Sequence, residues 1–528
     1  MTTVESSLAS LWGTDVVRDP DGPCLLYEPR PRCITEMLVG TDRWGDRTFL
    51  VQGERRIDFA TFLSAMPRAA GALAANKGDK VLVLAYNSPE FVLALWAIWW
   101  AGAVPVLGNR WWSDREIEHA VALTEPSLVL SDRDAPRGVT APWRPIADLR
   151  RHFTGAGTPV DVTEPDDELS PGLVLFTSGS SGPPKAVVLA HRSVVANQHN
   201  LLSRSRMLPQ TMTTDAPQQV MLACTPFFHV GGVSNLITQL ILGGRLVMTA
   251  GRFDAGEVLE LIEREKVHRW GGVPTMAARV LAHPDFARRD LSSLRSFPLG
   301  GAQVSPALLE RMRTKLPQLR QRGLANTWGM TESGGFVTVA GNRDLELFPG
   351  TVGRPYPVAE LRIDAPDETG CGEIMLRSPT VMLGYLGGQD GTVDSDGWLR
   401  TGDLGRLNDD GYLFLEGRAK DIVIRGGENI ACAHVEQALL THPDIVEAAV
   451  FGLPHEDLGE ELAAAVTHRA GRVPTEDELR TFLRERLAHF EVPTRWRIGG
   501  DPLPTLAGEK VDKKALRAEL TKDGTPCD

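Results

Sequence analysis

The sequence predicts an α/β protein: a large N-terminal part with a parallel sheet covered by helices, then a small antiparallel β subdomain, then a smaller α/β lid. Three observations carry this. Up to about residue 170, helix-like stretches alternate with short apolar runs, and that alternation implies a parallel sheet covered on both faces. From Gly350 the pattern changes to short strands divided by turns. After a charged GRAKD segment at 417–421, a new βαβ-like pattern begins. The boundary is placed there, giving domains 1–419 and 420–528.

Each element follows from its own stretch. Residues 59–75 read as a helix and 80–85 (KVLVLA) as a strand. Residues 91–108 (FVLALWAIWWAGAVPVLG) are uncharged and long enough to span a bilayer, but Gly102 and Pro105 break the run. A buried helix at 90–101 and a buried strand at 104–107 account for it better, so no integral span is expected; peripheral association stays open. A helix at 116–123, a strand at 128–131 and an acidic connector at 161–171 follow. A strand at 173–176, a helix at 191–203, strands at 219–223 and 243–249 and an amphipathic helix at 255–266 continue the alternation. The antiparallel strands fall at 360–363, 372–376, 398–400 and 412–416. The terminal pattern is a strand at 422–424, a helix at 433–440, strands at 445–453 and 462–468, a helix at 476–487 and a final short helix.

The 528 residues suffice for more than one domain, and the formal net charge of −12 argues against nonspecific binding to nucleic acid or anionic membranes. An anionic substrate then needs local positive charge. Six cysteines form no C-x-x-C pair, which fits a reducing cytosol and gives no zinc signal. The start, MTTVESSLAS, lacks a basic region followed by an apolar core, so a cytoplasmic protein is expected.

The chain is organised around residues 173–188, LVLFTSGSSGPPKAVV. A buried strand stops at Thr177, and Ser178, Gly179, Ser180, Ser181, Gly182 and Lys185 follow. Such a loop can aim several N–H groups and hydroxyls at one anion, and the lysine adds charge. The spacing is not that of a Walker A loop. By itself the stretch reads equally as a polyphosphate cradle or as a solvent loop of small residues.

Four further stretches carry chemistry. In TPFFHVGG (225–232), His229 is either a satisfied, partly buried histidine or a residue at the mouth of an apolar pocket. WGGVPTM (270–276) and FPLGGAQV (297–304) end apolar runs in glycine pairs, which suits either tight strand-to-helix turns or a backbone pressed on a flat ligand. NTWGMTESGG (326–335) reads as a loop dense in complementary groups. Trp328 can stack on a base, Asn326 and Thr331 can hydrogen-bond, and Glu332 can help to hold Mg²⁺. Asp403, in TGDL, can accept two hydrogen bonds from a ribose diol or be an ordinary turn aspartate.

Together these blocks resemble the adenylate-forming superfamily of acyl-CoA synthetases, peptide-synthetase adenylation domains and luciferases. The likeness spans the chain from the region of Val81 to Leu516. It rests on FTSGSSGPPKAVVLAH, TPFFHVGG, NTWGMTESG, GWLRTGDLGRLNDDGYLFLEGRAKDIVIRGGENI and the tail around Lys510. The resemblance implies a large domain of two doubly wound α/β subdomains plus a small β-barrel-like subdomain, with a mobile α+β lid. It implies ATP, Mg²⁺ and CoA: a carboxylate attacks the α-phosphorus of ATP, and a thiol then attacks the acyl-AMP. Thr177 to Gly182 and Lys185 would hold the β and γ phosphates. Gly300, Gly301 and Ala302, with Asn326, Thr327, Trp328 and Gly329, would line the adenine slot. Thr331 would contact the α-phosphate, Glu332 the Mg²⁺, Asp403 the ribose hydroxyls and Arg418 the ribose or phosphate. Lys510 would bridge carboxylate and α-phosphate, Lys420 would be the hinge, and His229 would gate the passage to the thiol tunnel.

Some residues depart from the family's pattern. Glu509 stands where a glycine usually precedes the tail lysine, which keeps Lys513 and Lys514 as alternatives to Lys510. Ala186 replaces a common glycine, Trp328 a frequent tyrosine and Glu491 a common lysine. RGGENI, with Gly426 and Gly427, resembles the CoA-ligase version of its block, so CoA is the expected acceptor and a separate carrier protein the alternative. The chain ends at Asp528, soon after Leu516, so a fused carrier domain is not expected. Phe228, Val230, Val233 and Val273 suggest an apolar acyl pocket. A medium- or long-chain fatty acid is the first expectation and an aryl acid the second. A regulatory homologue without activity would lack Lys510, Glu332 or Asp403, and all three are present. The sequence leaves the assembly open, a homodimer included.

Overall fold

The computed structural model describes the chain except residues 1–2, 178–182, 303, 389–390, 419–420, 426–427, 456, 470, 507–508 and 523–528. In its first sheet, seven strands run in the order Gly384–Tyr385, Ala186–Ala190, Pro171–Phe176, Val104–Leu107, Lys80–Leu84, Leu128–Ser131 and Trp143–Pro145. The last five pair in parallel, and the first two join antiparallel. Alternate side chains take opposite faces. Val81 and Val83 pack with the helices Phe59–Leu73 and Pro89–Trp100. Leu82 and Leu84 pack with Ile117 and Ala120 of the helix Asp114–Thr124. The sheet is thus wound on both sides, which explains its uninterrupted apolar strands.

A second sheet repeats the plan, in the order Arg269–Trp270, Val220–Ala223, Arg245–Met248, Thr48–Gln52 and Arg55–Asp58. The first four strands pair in parallel and the edge strand is antiparallel. Met221 and Leu246 face the core shared with the first sheet, whereas Leu222 and Val247 face the helices Ala255–Glu265 and Pro274–Ala282.

The antiparallel region belongs to an eight-stranded sheet in the order Phe297–Gly300, Leu324–Met330, Gly335–Gly341, Thr351–Pro355, Leu413–Arg418, Leu399–Leu407, Gly372–Arg377 and Glu360–Asp364, whose first two strands pair in parallel and the rest antiparallel. It begins well before Gly350. A parallel bridge between Arg269 and Ser296 links its first strand to the second sheet.

The C-terminal part has its own sheet, with Gly459–His468 paired to Ile422–Arg425, Ile445–His455 and Arg495–Gly499. Alternation splits its core. Val450, Leu462, Ala464 and Val466 face Val435, Leu439, Leu479 and Leu483 on one side. Phe451, Ala463 and Ala465 face Leu503, Leu516 and Leu520 on the other.

The apolar run at 91–108 is a buried helix and strand, as its glycine and proline require. Ser88 caps the helix by accepting from Phe91 N, and Pro89 occupies its first turn. Gly102 ends it at φ +72°, pressed against Thr163. Glu90, at the start, is 3 % exposed and held by Arg55 and Arg150 at 2.7 and 3.0 Å. Among the described residues, no helix is long and apolar enough to cross a membrane.

Candidate active site

The phosphate-loop candidate is flanked by two strands that pair antiparallel, Pro171–Phe176 and Ala186–Ala190. Phe176 pairs with Ala186 across its strands, and Thr177 N donates to Lys185 O at 3.0 Å. Residues Ser178, Gly179, Ser180, Ser181 and Gly182 lie outside the described residues. On the far side of Ala186–Ala190 the short strand Gly384–Tyr385 pairs Tyr385 with Val187. That register brings the Lys185 ammonium to 4.5 Å from the Tyr385 ring centroid. The Tyr385 hydroxyl donates to Glu332 Oε1 at 2.9 Å. Lysine, tyrosine and glutamate therefore form a chain that sequence reasoning missed, because nothing in LGYLGG marks Tyr385.

The stretch 326–335 is a strand, a tight turn and a second strand, not a loop. Gly334 N donates to Thr331 O at 3.0 Å, and Ser333, fully buried, accepts from Met330 N at 2.9 Å. Gly334 has φ +70°, and a Cβ there would sit 1.9 Å from Thr380 O. Glycine is thus required, and the turn holds Thr331 and Glu332 at its apex. Gly329 lies so near the returning strand that a Cβ would come within 2.0 Å of Gly335 O.

The polar residues of this strand are largely engaged. Asn326 is buried and donates to Thr351 O at 3.0 Å. Thr327 Oγ1 donates to Leu299 O at 3.0 Å, which ties the strand to Gly300. Trp328 is 5 % exposed, and its indole N–H donates to Asp403 Oδ2 at 2.7 Å. Arg418 Nε donates to the other Asp403 oxygen at 2.8 Å. Trp328, Asp403 and Arg418, far apart in sequence, meet at one carboxylate. The indole is committed to that carboxylate within the core, where the sequence reading gave it an open stacking face.

His229 caps the helix Val230–Ile241 by position, with no side-chain cap bond. Its loop is held by Asn87, which accepts from Phe227 N and donates to Thr225 O, both at 2.9 Å. His229 Nε2 is sealed from solvent and bonds to no other described group. Burial, then the nearby Lys510 charge, pushes the imidazole down to about 3, so it is neutral at physiological pH. Phe228, whose ring lies 4.7 Å from the imidazole, and Val233, whose N–H donates to His229 O, are buried beside it; Val230 is half-buried, and Val273 is buried. Phe228 also meets Trp111 edge-on, at 5.5 Å between centroids.

Gly301, at φ +76°, lies beside Val273 and Lys510: a Cβ built on it would be 3.4 Å from Val273 Cγ1 and 3.7 Å from Lys510 Cε. Ala302 is exposed next to it. Of the alternatives to Lys510, Lys513 bonds Glu436 at 2.7 Å and Lys514 is exposed. The structure therefore brings Lys510, Gly301, Val273 and His229 together. Lys420, Gly426 and Gly427 lie outside the described residues.

The sequence matches the family described as AMP-binding enzyme over residues 40–386, and the AMP-binding enzyme C-terminal domain over 434–507. A feruloyl-CoA synthase from Amycolatopsis sp. is 33 % identical over 85 % of this chain and 90 % of its own length. A 2-succinylbenzoate–CoA ligase from Bacillus licheniformis is 32 % identical over 89 % of this chain and 96 % of its own. Among solved structures, o-succinylbenzoate-CoA synthetase from Bacillus subtilis, in complex with its acyl-adenylate intermediate, superposes with a TM-score of 0.77. It is 27 % identical and covers 91 % of this chain and 97 % of its own. The chain belongs to the AMP-binding enzyme family. Within it, the chain is of the acyl-CoA synthetase type of the adenylate-forming superfamily.

Proposed function

We propose that this acid–CoA ligase activates an apolar, ring-bearing carboxylic acid as its acyl-AMP and passes the acyl group to CoA. The convergence of Lys510 on Gly301 and His229 carries the reading. A cation brought from the far end of the chain to a glycine-lined backbone can neutralise charge building between a carboxylate and the α-phosphate. The stretch from Thr177 to Lys185 would hold the ATP phosphates, with Lys185 supplying positive charge. Glu332, a hard oxygen donor joined to that lysine through Tyr385, fits Mg²⁺ beside the phosphates. Asp403 and Arg418 would hold the ribose, and Thr331 the α-phosphate. Thr327, Gly300, Gly301 and Ala302 would border the adenine.

Lys510 must leave before a thiol can approach, so the part from residue 420 turns against residues 1–419 between the two steps, with Lys420 as pivot. Neutral His229 would stand where the acyl pocket meets the thiol passage. The buried free thiols Cys24, Cys33, Cys224 and Cys432 support a reducing, cytoplasmic setting.

Phe228, Val230, Val233 and Val273 support an apolar acid. The ring preference rests on the relatives. The feruloyl and succinylbenzoate ligases match along nearly their whole length, whereas a medium-chain acyl-CoA ligase from Rattus norvegicus is matched over 60 % of its own. The fatty acid remains the second reading, on the apolar lining alone.

A panel of ring-bearing, fatty and small polar acids tests this, with pyrophosphate release and acyl-CoA both measured. Ring-bearing acids should give both products, with CoA required for the second. Turnover of fatty acids alone would shift the assignment to the second reading, and turnover of small polar acids alone would contradict both. Product found only on added carrier protein would replace CoA as acceptor.

A further inference from the structure

We propose that Arg279 is a latch between the two parts of the chain and that Glu509 is a positioning residue, fixing the backbone beside Lys510 so that the lysine reaches the site. This rests on the acyl-adenylate reading above.

Arg279 lies on the helix Pro274–Ala282, which starts beside Val273 and so borders Gly301. Its guanidinium donates three bonds, each to the C-terminal part. Nε reaches Glu447 Oε1 at 3.0 Å, Nη1 reaches Glu509 Oε2 at 2.7 Å, and Nη2 reaches Leu503 O at 3.1 Å. A planar fork with three separate acceptors fixes orientation as well as distance.

The acceptors are built in. Glu447 is 6 % exposed, and its second oxygen accepts from Leu503 N at 2.7 Å and Thr467 Oγ1 at 3.2 Å. Glu509 Oε2 also accepts from Thr505 Oγ1 at 3.3 Å. Leu506 N donates to Lys510 O at 2.7 Å, and Thr505 bridges Val511, so the backbone at Lys510 is pinned from both sides. Beside it Glu509 holds φ +57°, a conformation that glycine adopts without strain and glutamate does not. A strained backbone persists where its surroundings fix it, and here the Arg279 contact does so. Burial raises the Glu509 carboxyl, and the Arg279 guanidinium opposes that rise.

Three bonds to one side chain must break together when the C-terminal part turns. The latch therefore favours the arrangement for acyl-AMP formation over the one for thiol attack.

The test separates the half-reactions in Arg279→Gln and Glu509→Gly. In Arg279→Gln, single-turnover pyrophosphate release should slow by about ten-fold or more, while transfer from supplied acyl-AMP to CoA holds or rises. Glu509→Gly should err in the same direction by less, because glycine relieves the strain as the bond is lost. Equal loss in both half-reactions, or no loss in either, would overturn the latch. A readout without chemistry keeps the two claims distinct. Amide hydrogen exchange in the peptide containing Lys510 should quicken by about ten-fold in Arg279→Gln whatever the protein catalyses, and unchanged exchange overturns the latch even if the ligase reading stands.

Discussion

Trp328 donates its indole N–H to Asp403 at 2.7 Å, and both side chains are buried. Trp328→Phe keeps most of the apolar volume and removes the donor. Asp403 then retains Arg418 and loses its second partner. Stability should fall by about 1–3 kcal/mol, the cost of an unsatisfied buried acceptor. If Asp403 faces the ribose, KM for ATP should rise as well. Chemical denaturation and ATP titration check the two effects separately.

Tyr385 links Lys185 to Glu332. Removing its hydroxyl in Tyr385→Phe should leave the fold intact and loosen Glu332. Support behind a metal-binding carboxylate is worth about ten-fold or more in metal affinity. The Mg²⁺ concentration for half-maximal activity should rise accordingly. An unchanged Mg²⁺ dependence would remove Tyr385 from the site.

Gly329 has no room for a methyl group, with Gly335 O 2.0 Å from where a Cβ would lie. Gly329→Ala must part the two strands or bend them. Overpacking of this kind costs about 1–3 kcal/mol. It should also displace Thr331 and Glu332 at the turn, so activity falls further than stability alone explains. Thermal melts beside pyrophosphate release show whether the two losses separate.

Burial pushes His191 and His199 down to about 4. The unfolded chain binds protons on them below about pH 6.5 while the folded chain does not. Neither costs stability above that pH, and both destabilise increasingly as pH falls from 6.5 towards 4. At pH 5 each should cost about 2 kcal/mol. His199→Gln should flatten the fall in unfolding free energy between pH 7 and 5, whatever its effect at pH 7. An identical slope would contradict the neutral, buried assignment.

The fold was legible where local pattern and tertiary role agree. The run 80–85 is a central strand because both faces are apolar, and the covered parallel sheet follows. The stretch 326–335 reads as a loop in sequence because its glycines suggest turns, yet Gly329 serves a close strand approach, and the turn is made at Gly334 and Gly335, both at positive φ. Asn326 and Trp328 look like ligand-binding groups in sequence, but their polar atoms are also what a buried strand must satisfy. Tyr385 and Arg279 could not be read at all. Their significance lies in a cross-strand register and in an ion pair between distant segments, neither of which leaves a local signature.

The central claim is that a cation from the C-terminal part completes a nucleotide site in the large part. The direct measurement is the two half-reactions of Lys510→Ala. Acyl-AMP formation from ATP and acid should fall by about 10²–10³-fold or more, while transfer of supplied acyl-AMP to CoA stays near the wild-type rate. Equal loss of both steps would contradict the account.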